Sequence, residues 1–290
     1  MQKNNNNNRR FSPERPWCVG VAVVGLLVGA MLMTVFASRW SADTTPIFCK
    51  TLFGPAGKII AGGDSNPTEL QLLSIVHYAT SRTVPQQNID EIKVTLDVLK
   101  VLSPCNFLVY GLGHDSLMWA SLNARGSTLF LEEDPSWVKK ILEGAPYLRA
   151  EPVKYRTQLS EAEELLNMYR SEPDCWHDRS FLKGNERCKL ALNMLPEEVY
   201  EKEWDLIMID APRGYFPAAP GRMAAIYSAA VMARNRKKSG VTHVFLHDVD
   251  RKVEKVYAEM FLCRKNLVKG VGRLWHFEIP PTNDVTKGFC

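Results

Sequence analysis

The sequence predicts an α/β fold with a mostly parallel sheet. From residue 106 onward, short Val/Ile/Leu-rich runs alternate with stretches of helical spacing. The first of these runs ends in a Gly-x-Gly turn, and the chain closes on two strands around Gly270 and Gly272. Alternation of this kind means crossover connections and a sheet buried on both faces. The closing hairpin departs from that rule and supplies at least one antiparallel strand. A single apolar segment ahead of the domain is predicted to span a membrane.

That segment, WCVGVAVVGLLVGAMLMTVF at residues 17–36, carries no charge. At about 1.5 Å per residue it crosses the ~30 Å hydrocarbon layer. Lys3, Arg9, Arg10 and Arg15 precede it against one acid, Glu14. The positive-inside rule leaves residues 1–16 as a cytosolic tail and sends the rest across. The run is longer than a cleavable signal's apolar core and lacks a small-x-small exit, so it reads as an uncleaved anchor. Gly25 and Gly29 form a GxxxG, too common in one apolar segment to assign a dimer. Residues 37–66, rich in Pro, Gly, Ser, Thr and Asp without periodicity, read as a stem.

The domain at 67–290 follows. TELQLLSIVHYAT and IDEIKVTLDVLKVL have helical spacing. FLVYG is a strand and DSLMWASLN a helix; STLFLEED is the next strand. DPSWVKKILEG is a helix with Asp134 as its cap and Pro135 at its first position. EPVKY is a short strand before the helix SEAEELLNMYR, and a polar insert then separates these from the strand WDLIMIDAP. GRMAAIYSAAVMARNRKK is a helix, VTHVFLHD a strand, DRKVEKVYAEMFL a helix, and LVKGVGRLWHFEI the final hairpin. Met118, Trp119, His77 and Tyr78 read as core positions.

Six cysteines lie outside the apolar segment, and a lumenal domain would place them in an oxidising compartment. Cys175 and Cys188 bracket the polar insert and are the first candidates for a disulfide. No CxxC or Cys/His cluster suggests zinc. The net charge of +4, from 36 basic and 32 acidic residues, is too mild to argue for nucleic acid. The only Asn-x-Ser/Thr is Pro-blocked, at Asn66-Pro67-Thr68, so N-glycosylation is not expected.

In an open parallel sheet, ligands bind beyond the carboxyl ends of the strands. The turn after the first strand, GLGHDS, places Gly111 and Gly113 where a chain must turn tightly and let a ligand approach its backbone. A dinucleotide fingerprint wants a third small residue, and Ser116 makes this a partial match. His114 and Asp115 open the next helix, with Asp115 suited to the helix dipole or to a simple N-cap. The second strand ends in Glu132 and Glu133, about 20 residues on, where a carboxylate reaches ribose hydroxyls. That pattern serves nicotinamide and S-adenosyl-L-methionine (SAM) alike. The reversed last strand favours SAM, and a lumenal hydride transfer would be unusual.

Two further strands end in Asp210 and in His247-Asp248. Methyl transfer to an alcohol needs a base, which Asp210 or His247 would supply. Alternatively Asp210 and Asp248 would hold a divalent metal that acidifies the hydroxyl. The loop PRGYFPAAPGRM offers Tyr215 to stack on a sugar and Arg213 or Arg222 to grip a carboxylate. Each residue has a plainer reading as a helix cap or a local ion pair. The basic cluster Arg234, Arg236, Lys237 and Lys238 reads as a solvated face.

The segments CNFLVYGLGHDSLMWASLN, TLFLEEDPSW, EWDLIMIDAPRGYFPAAPGRMAAIY, ARNRKK and THVFLHDVDR resemble the plant polysaccharide-biosynthesis family that contains the glucuronoxylan 4-O-methyltransferases. The resemblance runs from about residue 67 to about 280. It implies a Rossmann-like, SAM-dependent methyltransferase domain on a single-pass type II Golgi anchor, acting on O-4 of glucuronic acid in wall glycans. DAPRGYFPAAPGRM departs from the xylan-directed pattern, while YRTQLSEAEELL and VTHVFLHD look nearer to arabinogalactan-directed members. The expected acceptor is therefore a glucuronosyl side chain on arabinogalactan or xylan. The alternative is a non-catalytic scaffold in Golgi xylan synthesis, like the family's irregular-xylem branch.

Overall fold

The structure is a computed structural model that describes residues 66–282 and 288–290. The segments expected as cytosolic tail (1–16), membrane anchor (17–36) and, but for Asn66, stem (37–66) lie outside the described residues. Among the described residues no helix is long and apolar enough to cross a membrane.

Two helices lead in: α1 at Pro67–Thr80 and α2 at Ile89–Leu102. Asn66 caps α1 by accepting from Thr68 N at 3.1 Å. Asn88 and Glu91 form a reciprocal capping box at the start of α2. The alternating part follows as β1 (Asn106–Tyr110), α3 (Ser116–Leu122), β2 (Ser127–Glu132), α4 (Pro135–Gly144) and β3 (Ala150–Pro152). After α5 (Ala162–Ser171) and the short α6 (Glu197–Glu201) come β4 (Leu206–Ile209), α7 (Met223–Arg234), β5 (Thr242–Leu246) and α8 (Lys252–Tyr257). The hairpin of β6 (Leu267–Val271) and β7 (Leu274–Ile279) ends the fold.

The seven strands form one sheet in the order β3-β2-β1-β4-β5-β7-β6. Strands β1 to β5 are parallel neighbours; β7 runs antiparallel to β5, and β6 antiparallel to β7. This is the mixed sheet the alternation predicted. Period 2 explains how it is buried. Leu108, Tyr110, Leu129, Leu131, Ile207 and Ile209 face a core shared with α7, whereas Phe107, Val109, Phe130, Leu206 and Met208 face one shared with Trp119 and Val138. Because all the parallel strands point one way, their carboxyl ends and the loops that follow share one edge.

Several expectations shift. His77 is exposed rather than core, and α1 buries only Leu70 and Ser74 while Ile75 and Val76 face outward. Helix α7 stops at Arg234; of the basic cluster, Lys237 and Lys238 are exposed as expected, while the two arginines are not simply solvated. Arg236 turns inward to pair with Asp205 at 2.9 Å, and Arg234 donates to Phe289 O. The Cys175–Cys188 disulfide is present, and so is Cys263–Cys290, which sequence spacing did not single out.

Both Cys175 and Cys188 are fully buried against the α7 core, where Tyr227 donates to Cys175 O at 3.0 Å. Their bridge closes a loop with a sequence separation of 13. A loop of that size confers about 3 kcal/mol in the chain-entropy account. Replacing both by alanine is expected to lower the melting temperature by roughly 5–10 °C in calorimetry; an unchanged midpoint would mean that the bridge constrains nothing.

Candidate functional site

The strand ends meet in one cleft of about 470 Å³. Gly111, Gly113, His114 and Asp115 line it from the first turn, Glu132 and Glu133 from the second strand, and Asp210, Arg213, Tyr215, Arg222 and Asp248 from beyond the fourth and fifth. His247 is wholly buried behind Asp210 and does not line the cleft.

The glycine turn is built for close approach. Gly111 sits at φ +125°, and a Cβ there would lie 3.2 Å from the Ala211 Cβ. Gly113 has an ordinary φ; its N–H is satisfied by Ser116 Oγ at 2.8 Å. The turn is tied down from both sides. Tyr78 donates to His114 O at 2.7 Å and accepts from Met118 N, and Trp137 donates to Leu112 O at 2.6 Å. His114 itself is exposed, its ring edge-on to Trp137.

Glu132 is buried and already accepts from Leu112 N at 3.0 Å and Asp134 N at 3.1 Å. Each carboxylate oxygen keeps a second lone pair for a ligand hydroxyl. Burial pushes its carboxyl above the ordinary range despite those amide donors. Glu133 is taken by Arg213, through both the guanidinium and the backbone N–H. Asp115 occupies the N-cap position of α3 but does not cap it. Its carboxylate accepts from the Trp119 indole at 2.8 Å, and burial with the nearby Asp210 charge raises its pKa.

Arg222 organises the far side. Only 4% exposed, it donates to His247 O at 2.7 Å, to Asp248 Oδ2 at 2.7 Å, to Asp210 Oδ1 at 3.3 Å and to the Asp210 and Pro212 carbonyls. It is fully employed inside the protein, so it is not the free cation the sequence offered for a substrate carboxylate. Asp248, in the left-handed region at φ 61°, turns back over the strand ends. It meets three guanidiniums there: Arg222, Arg251 at 3.0 Å and Arg273 at 2.7 Å. Asp210, His247 and Asp248 do cluster within ligand distance of one another. Yet the arginines hold both oxygens of Asp248, and a dication would face their positive charge. The donor set does not fit the metal considered from sequence.

Asp210 and His247 form the pair nearest the cleft, with His247 Nδ1 donating to Asp210 Oδ1 at 2.8 Å. Burial works to raise the Asp210 carboxyl, but this hydrogen bond and the Arg222 charge outweigh it and hold it below its ordinary value. Burial likewise works to lower the His247 imidazolium, and the bond and charge of Asp210 outweigh that, holding it high. The arrangement thus keeps Asp210 ionised while Asp115 is pushed toward its neutral form.

Sequence reading missed the α1–α2 linker, whose Val84, Pro85 and Gln86 wall the cleft. It also missed Gln87, which donates to Asp210 Oδ2 at 3.3 Å, and Glu91, which accepts from Arg273 N at 2.7 Å and lies 3.6 Å from His247 Nε2. The Asn88–Glu91 spacing marks only a helix start, and nothing in it points toward a distant strand end.

Residues 90–277 match the family described as IRX15/IRX15L/GXM. The chain belongs to that family. It is 58% identical over 275 residues to arabinogalactan O-methyltransferase 1 of Arabidopsis thaliana, covering 94% of each chain. Glucuronoxylan 4-O-methyltransferase 1 of the same plant is 50% identical over 214 residues, 73% of this chain and 74% of its own. Among solved structures, a 16S rRNA N2 G1207 methyltransferase of T. thermophilus overlaps loosely, with a TM-score of 0.38 at 15% identity over 70% of this chain and 45% of its own. The family match spans every cleft residue named from sequence and Arg273, and leaves Gln87 outside.

The Asp210–His247 pair makes stability depend on pH in a definite direction. Asp210, held low, contributes stability above its ordinary value of about 3.9 that is lost as pH falls through its folded value. His247, held high, contributes stability that is complete below about 6.5 and lost as pH rises through its raised value. The melting-temperature gap between wild type and His247→Gln is expected to be widest between about pH 4 and 6.5 and to shrink above it. A gap that widened toward alkaline pH would contradict the pairing.

Proposed function

We propose that this chain is a SAM-dependent O-methyltransferase acting on glucuronosyl residues of a plant wall glycan, with arabinogalactan the favoured acceptor. One observation carries the reading: the glycine turn, the Glu132 carboxylate and the ionised Asp210 line a single cleft in a chain 58% identical to an arabinogalactan O-methyltransferase.

The cleft fits SAM on its own chemistry. The Gly111 turn leaves a cradle that a Cβ would strain, Glu132 retains lone pairs for a ribose, and the ionised Asp210 supplies negative charge beside a sulfonium. SAM, when bound, supplies an activated methyl group. Gly111, Gly113 and Glu132 would hold it, with His114 and Trp137 at the rim.

The protein's part is to orient and deprotonate the acceptor. Asp210 accepts the hydroxyl hydrogen bond at its carboxylate, which Gln87, His247 and Arg222 hold in one orientation. A weakly basic carboxylate suffices, because an oxygen under alkylation becomes strongly acidic as its new bond forms. Tyr215, 67% exposed, and Arg213 stand at the mouth, where a sugar face and its carboxylate would dock. Arg251 lines the same wall and adds positive field. Buried His247 serves by fixing Asp210.

The placement proposed with this activity is a Golgi lumenal domain on a type II anchor at residues 17–36. Two disulfides in the described domain suit an oxidising lumen.

Asp210→Asn tests the assignment. Transfer of labelled methyl to glucuronosylated arabinogalactan is expected to fall at least about 10²-fold, with SAM affinity by calorimetry within a few-fold of wild type. Turnover near wild type would remove Asp210 from the mechanism. Wild-type rates higher on xylan than on arabinogalactan would reverse the acceptor preference.

A further inference from the structure

At the opposite end of β5 from the cleft, three ligating side chains share one face of the sheet. His243 of β5 pairs in register with Glu278 of β7, while His276 pairs with Phe245. Period 2 therefore sets all three on the same side. His243 Nδ1 lies 2.9 Å from His276 Nε2 and 3.8 Å from Glu278 Oε1. One ligand atom from each falls within 4.8 Å of the others. Phe245 stacks on the His276 ring at 4.4 Å and 13°, which holds that imidazole in place.

We propose that His243, His276 and Glu278 bind a Zn²⁺ ion that clips β5 to β7, independently of the methyl-transfer cleft.

The donor set is two imidazoles and one carboxylate, the mixture zinc takes when a fourth position is left to water. Spacing agrees. A tetrahedral ion with bonds of 2.0–2.2 Å holds its ligand atoms about 3.3 Å apart. The two separations observed, 2.9 and 3.8 Å, straddle that value, so small side-chain rotations suffice. The ring that now donates between the two histidines moves its proton to its other nitrogen, and no net proton is released. Burial lowers the pKa of both rings, which favours the neutral form that ligates.

Access and rigidity also favour an ion. Glu278 is 43% exposed and opens the cluster to solvent, whereas His276 is 4% exposed. The ligands stand on paired strands instead of loops, so little order must be gained on binding. Two positive groups oppose the ion. Lys269, the register partner of His276 on β6, is exposed and screened, and Arg236 is neutralised by Asp205. At the strand rise of about 3.3 Å per residue, His243 and His247 are about 13 Å apart along β5, too far to share one ion. The clip would sit where the sheet changes from parallel to antiparallel, the joint between the catalytic strands and the hairpin that carries Arg273.

The test uses the full chain in detergent, stripped of metal and titrated with Co²⁺ as a spectroscopic probe. Wild type is expected to develop the visible bands of a four-coordinate ion, and Zn²⁺ should displace them. Glu278→Gln keeps the side chain's size at a half-exposed position, so it should fold; its Co²⁺ affinity should weaken at least about tenfold. His243→Ala should lose the bands, while Asp210→Asn should keep them. The proposal is overturned by a wild type without such bands, by bands that survive in both Glu278→Gln and His243→Ala, or by bands lost in Asp210→Asn.

Discussion

The buried guanidinium of Arg222 is the constraint on which the site depends. It joins the end of β4, through the carbonyl and carboxylate of Asp210, to the end of β5, through His247 O and Asp248. It also accounts for the intervening loop. The chain leaves the sheet at Asp210, passes through PRGYFPAAPG, and returns with Arg222 at the N-cap position of α7, beneath the strand it left. A cation this deep is tolerable only because carboxylates and carbonyls surround it, and breaking such a set by removing one partner typically costs 3–5 kcal/mol. Tyr215 and Phe216 at the tip of that loop remain exposed because the loop's anchorage lies at its base.

From this follows the division of labour among the acids. Burial and the nearby Asp210 charge push Asp115 toward its neutral form, while His247 and Arg222 keep Asp210 ionised against its own burial. Asp248 is the counter-ion of three arginines, and through Arg273 it connects the hairpin to the edge that carries the cleft. Glu91 reinforces that link by accepting from the Arg273 backbone and packing against Gly272. The antiparallel hairpin is thus coupled to the cleft as well as to the sheet.

Much of this was legible in the sequence. The strand–helix alternation and the reversed final strand were visible as periodicity, because a strand buried on both faces leaves a continuous apolar run. The cleft residues were visible because loop chemistry at strand ends is constrained: Gly111 for a positive φ, acids at the ends of β2, β4 and β5. What sequence could not supply was who pairs with whom. Arg222 reads as a loop cation and proves to be a buried hub; Glu133 reads as a ligand and is spent on Arg213. Gln87 lies 123 residues from Asp210 along the chain, and no local pattern signals such a contact. Cys263–Cys290 was hidden for the same reason, since pairing depends on where the carboxyl terminus returns.

The claim that Arg222 and Asp248 hold the strand ends together as one unit is open to a double-mutant cycle. Unfolding free energies would be measured for Arg222→Met, Asp248→Asn and the double variant by denaturant titration. Direct contact at 2.7 Å in a buried setting implies a coupling of about 1–3 kcal/mol, with the double variant less damaged than the sum of the singles. Additivity within about 0.5 kcal/mol would mean that the two residues act separately, and would contradict the account.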